Sequence, residues 1–152
     1  MSSSWQGLLL LDKPEGPTSH DIVARVRRAT GQRRIGHAGT LDPLASGLLP
    51  LVLGRPTRLV RFMPHSPKSY QGVIQIGCRS DTDDITGKIL ERCEGSLPTA
   101  EQVLEAARGL EGISAQIPPA FSARKIGGRR MYELARQGVQ VEAKATDIEV
   151  TR

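Results

Sequence analysis

Aromatic side chains are scarce in this 152-residue chain, which has one Trp, two Tyr and two Phe. Burial must fall to Leu, Val, Ile and Ala, and an aromatic ring near a reactive group becomes conspicuous. Cysteine occurs twice, at Cys78 and Cys93, with no CxxC pair and no histidine at ligand spacing. That excludes a zinc ribbon and a disulfide framework. No apolar run approaches the roughly 20 residues that span a bilayer. The opening MSSSWQG lacks the charged start and apolar stretch of a secretory signal. These absences point to the cytoplasm and away from a membrane. P-loop and dinucleotide fingerprints are missing, as are internal repeats. Asp81, Asp83 and Asp84 hint at calcium, but Ile85 and Thr86 stand where an EF-hand loop needs an oxygen ligand and a glycine. No metal and no cofactor is expected.

Positive charge is present in excess. The formal net charge is +5, and it is unevenly spread. Residues 1–68 carry ten Lys/Arg against four Asp/Glu, and residues 113–152 carry seven against four. Between them, 69–112 reverses the sign with four against eight. Two basic faces of this kind suit a polyanion, because cationic side chains displace counterions from phosphates.

Periodicity and turn residues predict a coarse order of elements. Leu8–Leu11 reads as a buried strand running into a turn written by Pro14, Gly16 and Pro17. A helix follows from Thr18 or Ser19, with Thr18 and Asp21 at capping-box spacing, Ile22, Val23 and Val26 on one face, and Gly31 closing it. ASGLLPLVLG reads as an apolar turn of helix or as a strand, and TRLVRFM as a short helix. SYQGVIQIG has strand composition, RSDTDDITG is a polar turn and GKILERC a return strand. PTAEQVLEAARGLEG is a helix capped by Thr99, with Val103, Leu104, Ala107 and Leu110 as its apolar stripe. IPPAFSARKIGGRR is a basic loop, MYELARQG a helix, and ATDIEVT a strand with Thr146, Ile148 and Val150 on one side.

One carboxylate stands apart. Asp42 lies in GHAGTLDPLASGLLP, among glycines, prolines and leucines. Asp before Pro initiates turns by bonding nearby backbone N–H groups, so a structural reading is open. A functional one is open too. Gly36 and Gly39 permit close approach to a ligand, Pro43 and Pro50 stiffen the loop, and Arg33, Arg34 and His37 offer positive charge nearby.

LLLLDKPEGPTS, GHAGTLDPLASGLLPLVLGRPTRL, KSYQGVIQIG, SDTDDITG and IPPAFSARKIGGRRMYELARQG follow one another in this order. Together they closely resemble the N-terminal part of bacterial tRNA pseudouridine-55 synthases of the TruB type, from about Leu8 to the end. Related ribosomal-RNA synthases usually carry an arginine where Thr40 stands. The resemblance implies an α+β pseudouridine synthase catalytic domain over 1–152, with a mixed, mainly antiparallel sheet flanked by helices. It implies Asp42 as the catalytic aspartate, His37 as a contact near the flipped nucleotide and Tyr70 as the ring that stacks on the target base. Lys13 becomes a support for the active-site loop. Arg33 and Arg34, by position, and Arg124, Lys125, Arg129 and Arg130, by the match to a segment that closes over RNA, become phosphate contacts. The family's KGTYIR-like strand is missing from these residues, so the fold is expected to be incomplete.

The chemistry expected is isomerisation of uridine 55 in the tRNA T-arm. The N1–C1′ bond breaks, the base turns, and C5 joins C1′. A base must leave its stack to be reached, so the enzyme needs a pocket, an aromatic face and cationic contacts. A carboxylate is already ionised at neutral pH and needs no activating base. It could add to C6, attack C1′ or remove a ribose proton. A monomer is expected. Two rivals stay open: a non-catalytic tRNA-binding or tRNA-folding module, and the catalytic subunit of a guide-RNA particle.

Overall fold

The structure, a computed structural model, describes residues 5–63, 67–117, 125–130, 134, 137, 139 and 144–151. It divides into two compact units, Met1–Gln71 and Gly72–Arg152.

The first unit is one helix against a three-stranded antiparallel sheet of order β1-β3-β2. Strand β1 is Gly7–Lys13, helix α1 Ser19–Thr30, β2 Ile35–His37 and β3 Gly47–Leu53. Alternate leucines decide which face is buried. Leu9 and Leu11 of β1 pair with Leu51 and Leu49 of β3, and these four turn toward Ile22 and Val23 of α1 and Ile35 of β2. Leu49 and Leu51 are fully buried, each contributing about 1.5–3 kcal/mol. The opposite face leaves Leu8, Leu10 and Leu48 exposed.

Helix α1 begins as expected. The Asp21 N–H donates to Thr18 Oγ1 at 3.1 Å, and Asp21 Oδ2 accepts from the Thr18 N–H at 2.8 Å. Gly31 ends it with φ 66°, a left-handed conformation that a Cβ would disfavour. Hydrogen bonds from the Thr18 side chain and then its backbone hold the Asp21 carboxyl below the usual carboxylate range. A depressed value means the cap stabilises above the unfolded value and loses that contribution as pH falls through the folded one. Thr18→Ala should cost about 1 kcal/mol in chemical denaturation at neutral pH, with the gap to wild type narrowing in acid.

Strand β2 has no counterpart among the sequence expectations. It is three residues long and is held from outside, by β3 and by Arg27, whose Nη2 donates to the Ile35 carbonyl at 2.7 Å. ASGLLPLVLG resolves into strand β3. TRLVRFM belongs to a longer 3₁₀ helix, Arg55–Phe62, with Pro56 in its first turn.

The second unit holds strands β4 (Cys78–Ser80), β5 (Ile89–Arg92), β6 (Gly112–Gln116), β7 (Lys125–Ile126), β8 (Arg129–Arg130) and β9 (Thr146–Val150), with helix α2 at Ala100–Arg108. They form three two-stranded antiparallel ladders, β4-β5, β6-β9 and β7-β8. The strand expected over SYQGVIQIG is absent: 67–76 is coil, and the hairpin starts later, at Cys78. Strand composition needs a neighbouring edge to bond, and Val73 and Ile74 stay almost wholly exposed. The turn between β4 and β5 engages two of its carboxylates, those of Asp81 and Asp84. Asp84 accepts from Thr82 and Thr86, and Asp81 from the Lys88 N–H.

Helix α2 has the predicted Thr99–Gln102 capping box, but Leu104 and Leu110 of its apolar stripe are exposed. The ATDIEVT strand pairs with β6, which was not anticipated, and turns Ile148 and Val150 to its more covered side. The basic loop is partly a hairpin, β7-β8. It is closed by Gly127 and Gly128, both at positive φ as a two-residue type I′ connection demands. Most of the expected MYELARQG helix lies outside the described residues.

Candidate active site

Asp42 sits between the end of β2 and the start of β3, on a loop drawn against the β1–α1 turn. Its own turn is closed by the main chain: the Ala45 N–H donates to the Asp42 carbonyl at 3.0 Å. Asp at the first corner and Pro43 at the second suit such a turn. The carboxylate takes no part in it. Exposed, it has no hydrogen-bond or ion-pair partner among the described residues. A purely structural Asp before Pro would use its side-chain oxygens on the turn's N–H groups. Here those oxygens remain available.

The main chain on either side of Asp42 is held. Leu41 packs its side chain against the core, and its N–H and C=O both engage the Ser19 hydroxyl, at 3.0 and 3.1 Å. After Asp42, the Pro43 carbonyl accepts from the Gly16 N–H at 2.8 Å and from Lys13 Nζ at 3.4 Å.

Lys13 is fully buried at the end of β1. A buried ammonium is costly unless its three donors are met. Nζ bonds the carbonyls of Pro14 and Pro17 at 2.9 Å each, with Pro43 as the third. The lysine thus fastens strand, turn and loop together.

His37 ends β2, and its Nδ1 is bonded to the Gly39 carbonyl. The His20 ring meets the His37 ring edge to face, with centroids 5.1 Å apart and planes at 80°. His20 was not among the sequence candidates. Its proximity comes from the α1–β2 packing, and no local pattern announces it.

The remaining candidates are more scattered. Arg33 and Arg34 are exposed just before β2, and neither pairs with Asp42. Their main chain is engaged, since the Arg34 carbonyl accepts from the Gly54 N–H at 2.8 Å. Tyr70 is exposed in the 67–76 coil and makes no hydrogen bond or ring contact among the described residues. Lys125 is in register with Arg130 across β7-β8, which puts positive residues at facing positions of one hairpin. Arg129 is the other residue of β8, and Arg124 lies outside the described residues.

Sequence reasoning also passed over Arg55, Arg58 and Arg61. All three are exposed on the 3₁₀ helix, where residues three apart eclipse. At a rise of about 2.0 Å per residue they form a column with steps of about 6 Å. The i, i+3 spacing is visible in the sequence, but only the 3₁₀ winding lines the residues up. Among the described residues no group of three or more His, Cys, Asp or Glu could hold a metal ion, and no helix is long and apolar enough to cross a membrane.

Known proteins are similar to this chain in sequence and fold. A family model described as TruB family pseudouridylate synthase (N terminal domain) matches residues 27–152. A protein of Thermobifida fusca named tRNA pseudouridine synthase B is 45% identical over 144 residues, covering 95% of this chain and 49% of the relative. The like-named protein of Mycobacterium tuberculosis is 42% identical over 152 residues, with coverages of 100% and 51%. That of Bacillus licheniformis is 42% identical over 139 residues, with coverages of 91% and 45%. The chain spans about half the length of the curated relatives it matches. A crystal structure of a Cbf5–Nop10–Gar1 complex has a similar fold, with a TM-score of 0.52 at 29% identity over 78% of this chain and 31% of that one. By family match and by relatedness along nearly its whole length, the chain belongs to the TruB family of pseudouridylate synthases, in that family's N-terminal domain.

Proposed function

We propose that this chain carries the nucleophile of a tRNA pseudouridine synthase that isomerises uridine 55 in the T-arm, and that Asp42 is that nucleophile. The observation that carries this reading is the exposed, unengaged carboxylate of Asp42 on a loop whose flanking main chain is tied on both sides. The relatives' name supplies the reaction class. In this reading the 152 residues form the N-terminal portion of the catalytic domain.

Each residue then has a task. The carboxylate attacks the extruded nucleotide, the N1–C1′ bond breaks, and the freed base turns to offer C5 to C1′. The bond to the Asp42 carboxylate is released again, C5 gives up its proton to solvent and N1 takes one up, so the reaction is an isomerisation with nothing gained or lost overall. His37, fixed by its bond to Gly39, contacts the RNA near the flipped nucleotide. Tyr70 supplies a face for the base. Lys13 keeps the loop in place. Arg33, Arg34, Arg124, Lys125, Arg129 and Arg130, together with the column of Arg55, Arg58 and Arg61, hold the distorted backbone through its phosphates. The enzyme works as a cytoplasmic monomer without metal or cofactor.

Because C5 must lose its hydrogen, a tRNA transcript tritiated at C5 of uridine reports turnover directly. The full-length protein should release tritium equivalent to one uridine per tRNA, and none when uridine 55 is replaced by cytidine. Release that survives this replacement would overturn the assignment to position 55.

A further inference from the structure

We infer that Ser19 is a positioning residue for catalysis, setting the aim of the Asp42 carboxylate through the main chain of Leu41; this rests on the reading of Asp42 as the nucleophile. Ser19 is the first residue of α1, and only 2% of it is exposed. It is not the helix cap. Thr18 does that work, and Ser19 Oγ points across to the loop. There it donates to the Leu41 carbonyl at 3.1 Å and accepts from the Leu41 N–H at 3.0 Å. A hydroxyl has one proton to give and lone pairs to receive with. Here it gives that proton to one backbone group of Leu41 and receives from the other.

Two bonds to one residue fix the peptide planes on both sides of its Cα. The second plane is the Leu41–Asp42 peptide, so the direction in which Asp42 leaves the chain is set one bond away. Lys13 and Gly16 act on Pro43, on the far side. Ser19 is the preceding half of a bracket, and Asp42 is the residue held between. A tie of this kind contributes little to RNA affinity, because it touches no surface that RNA can reach. It contributes to the rate, since attack needs the reacting atoms within a near-attack geometry, and a misplacement of about 1 Å costs on the order of 10²-fold.

The test compares Ser19→Ala and Ser19→Cys with wild type in the full-length protein, with kcat expressed per folded molecule. A thiol is close to a hydroxyl in shape but is a weaker donor. The expected order of kcat is Ser above Cys above Ala, with Ala reduced about 10- to 100-fold and the tRNA Kd within about twofold throughout. A merely structural serine would lower the folded fraction and leave kcat per folded molecule unchanged; that result overturns the proposal. So does a loss confined to tRNA binding. Asp42→Asn, measured alongside, separates the two levels. If it still turns over, the nucleophile reading falls and this inference with it. If it is inert while Ser19→Ala keeps the wild-type kcat, only this inference falls.

Discussion

Asp42→Asn should abolish pseudouridine formation while leaving the protein folded and able to bind tRNA. Asn keeps the shape of the side chain and removes the charge that the proposed nucleophile needs. Turnover should therefore drop by at least about 10⁴-fold, as losses of reacting groups in other enzymes do. Stability should stay within about 0.5 kcal/mol of wild type, because the carboxylate is exposed and bonds no other described group. Affinity should hold or rise slightly, since one negative charge facing a polyanion is gone. Tritium release, thermal melting and equilibrium tRNA binding measure the three quantities separately. Persistent turnover would remove Asp42 from the mechanism. The same variant distinguishes an enzyme from a tRNA-folding module, which would tolerate the change without loss of function.

The second large effect is expected at Lys13, and its size differs sharply between stability and rate. Lys13→Met keeps the length and the burial but supplies no donor. The carbonyls of Pro14 and Pro17 lose the partner seen here, while Pro43 retains the Gly16 N–H. An orphaned buried carbonyl costs about 1–3 kcal/mol. Against that, an ammonium no longer has to be stripped of water, which returns several kcal/mol. The two terms largely offset, so the net change in stability should be small, within about 1 kcal/mol of wild type. The rate has no such compensation. With its long-range tie gone the loop can shift, and kcat should fall on the order of 10²-fold. Lys13→Arg should do no better, because a planar guanidinium cannot converge on three carbonyls as an ammonium does. A melting curve and a saturating-tRNA rate decide the matter. An unchanged kcat in Lys13→Met would show that the loop holds itself.

What could be read from the sequence divides along the range of the interactions involved. Helices α1 and α2 are announced by residues three apart, Thr18 with Asp21 and Thr99 with Gln102, and the geometry is the one expected. Strand β2 is not announced, because its three residues owe their conformation to β3 and to Arg27, eight positions upstream of the carbonyl it bonds. The SYQGVIQIG segment fails for the complementary reason. Its residues favour extended backbone, but no described strand lies beside it. The site follows the same division. Asp42 stands out locally with Arg33, Arg34 and His37 beside it, and the family resemblance brought in Lys13 and Tyr70. Ser19 and His20 were missed because their partners, Leu41 and His37, lie 22 and 17 positions away. Nothing near Ser19 marks it as more than a helix's first residue.

The bracket around Asp42 bears on where time is spent in a turnover. If Asp42 is the nucleophile, main chain already tied on both sides of it leaves the protein only a side-chain rotation to make when its substrate arrives, so the slow adjustment passes to the other molecule. Unstacking a uridine costs a few kcal/mol, and with the loop already set that expense belongs to the nucleic acid. On that reading, the pace of turnover is governed by how readily a loop of RNA gives up its base.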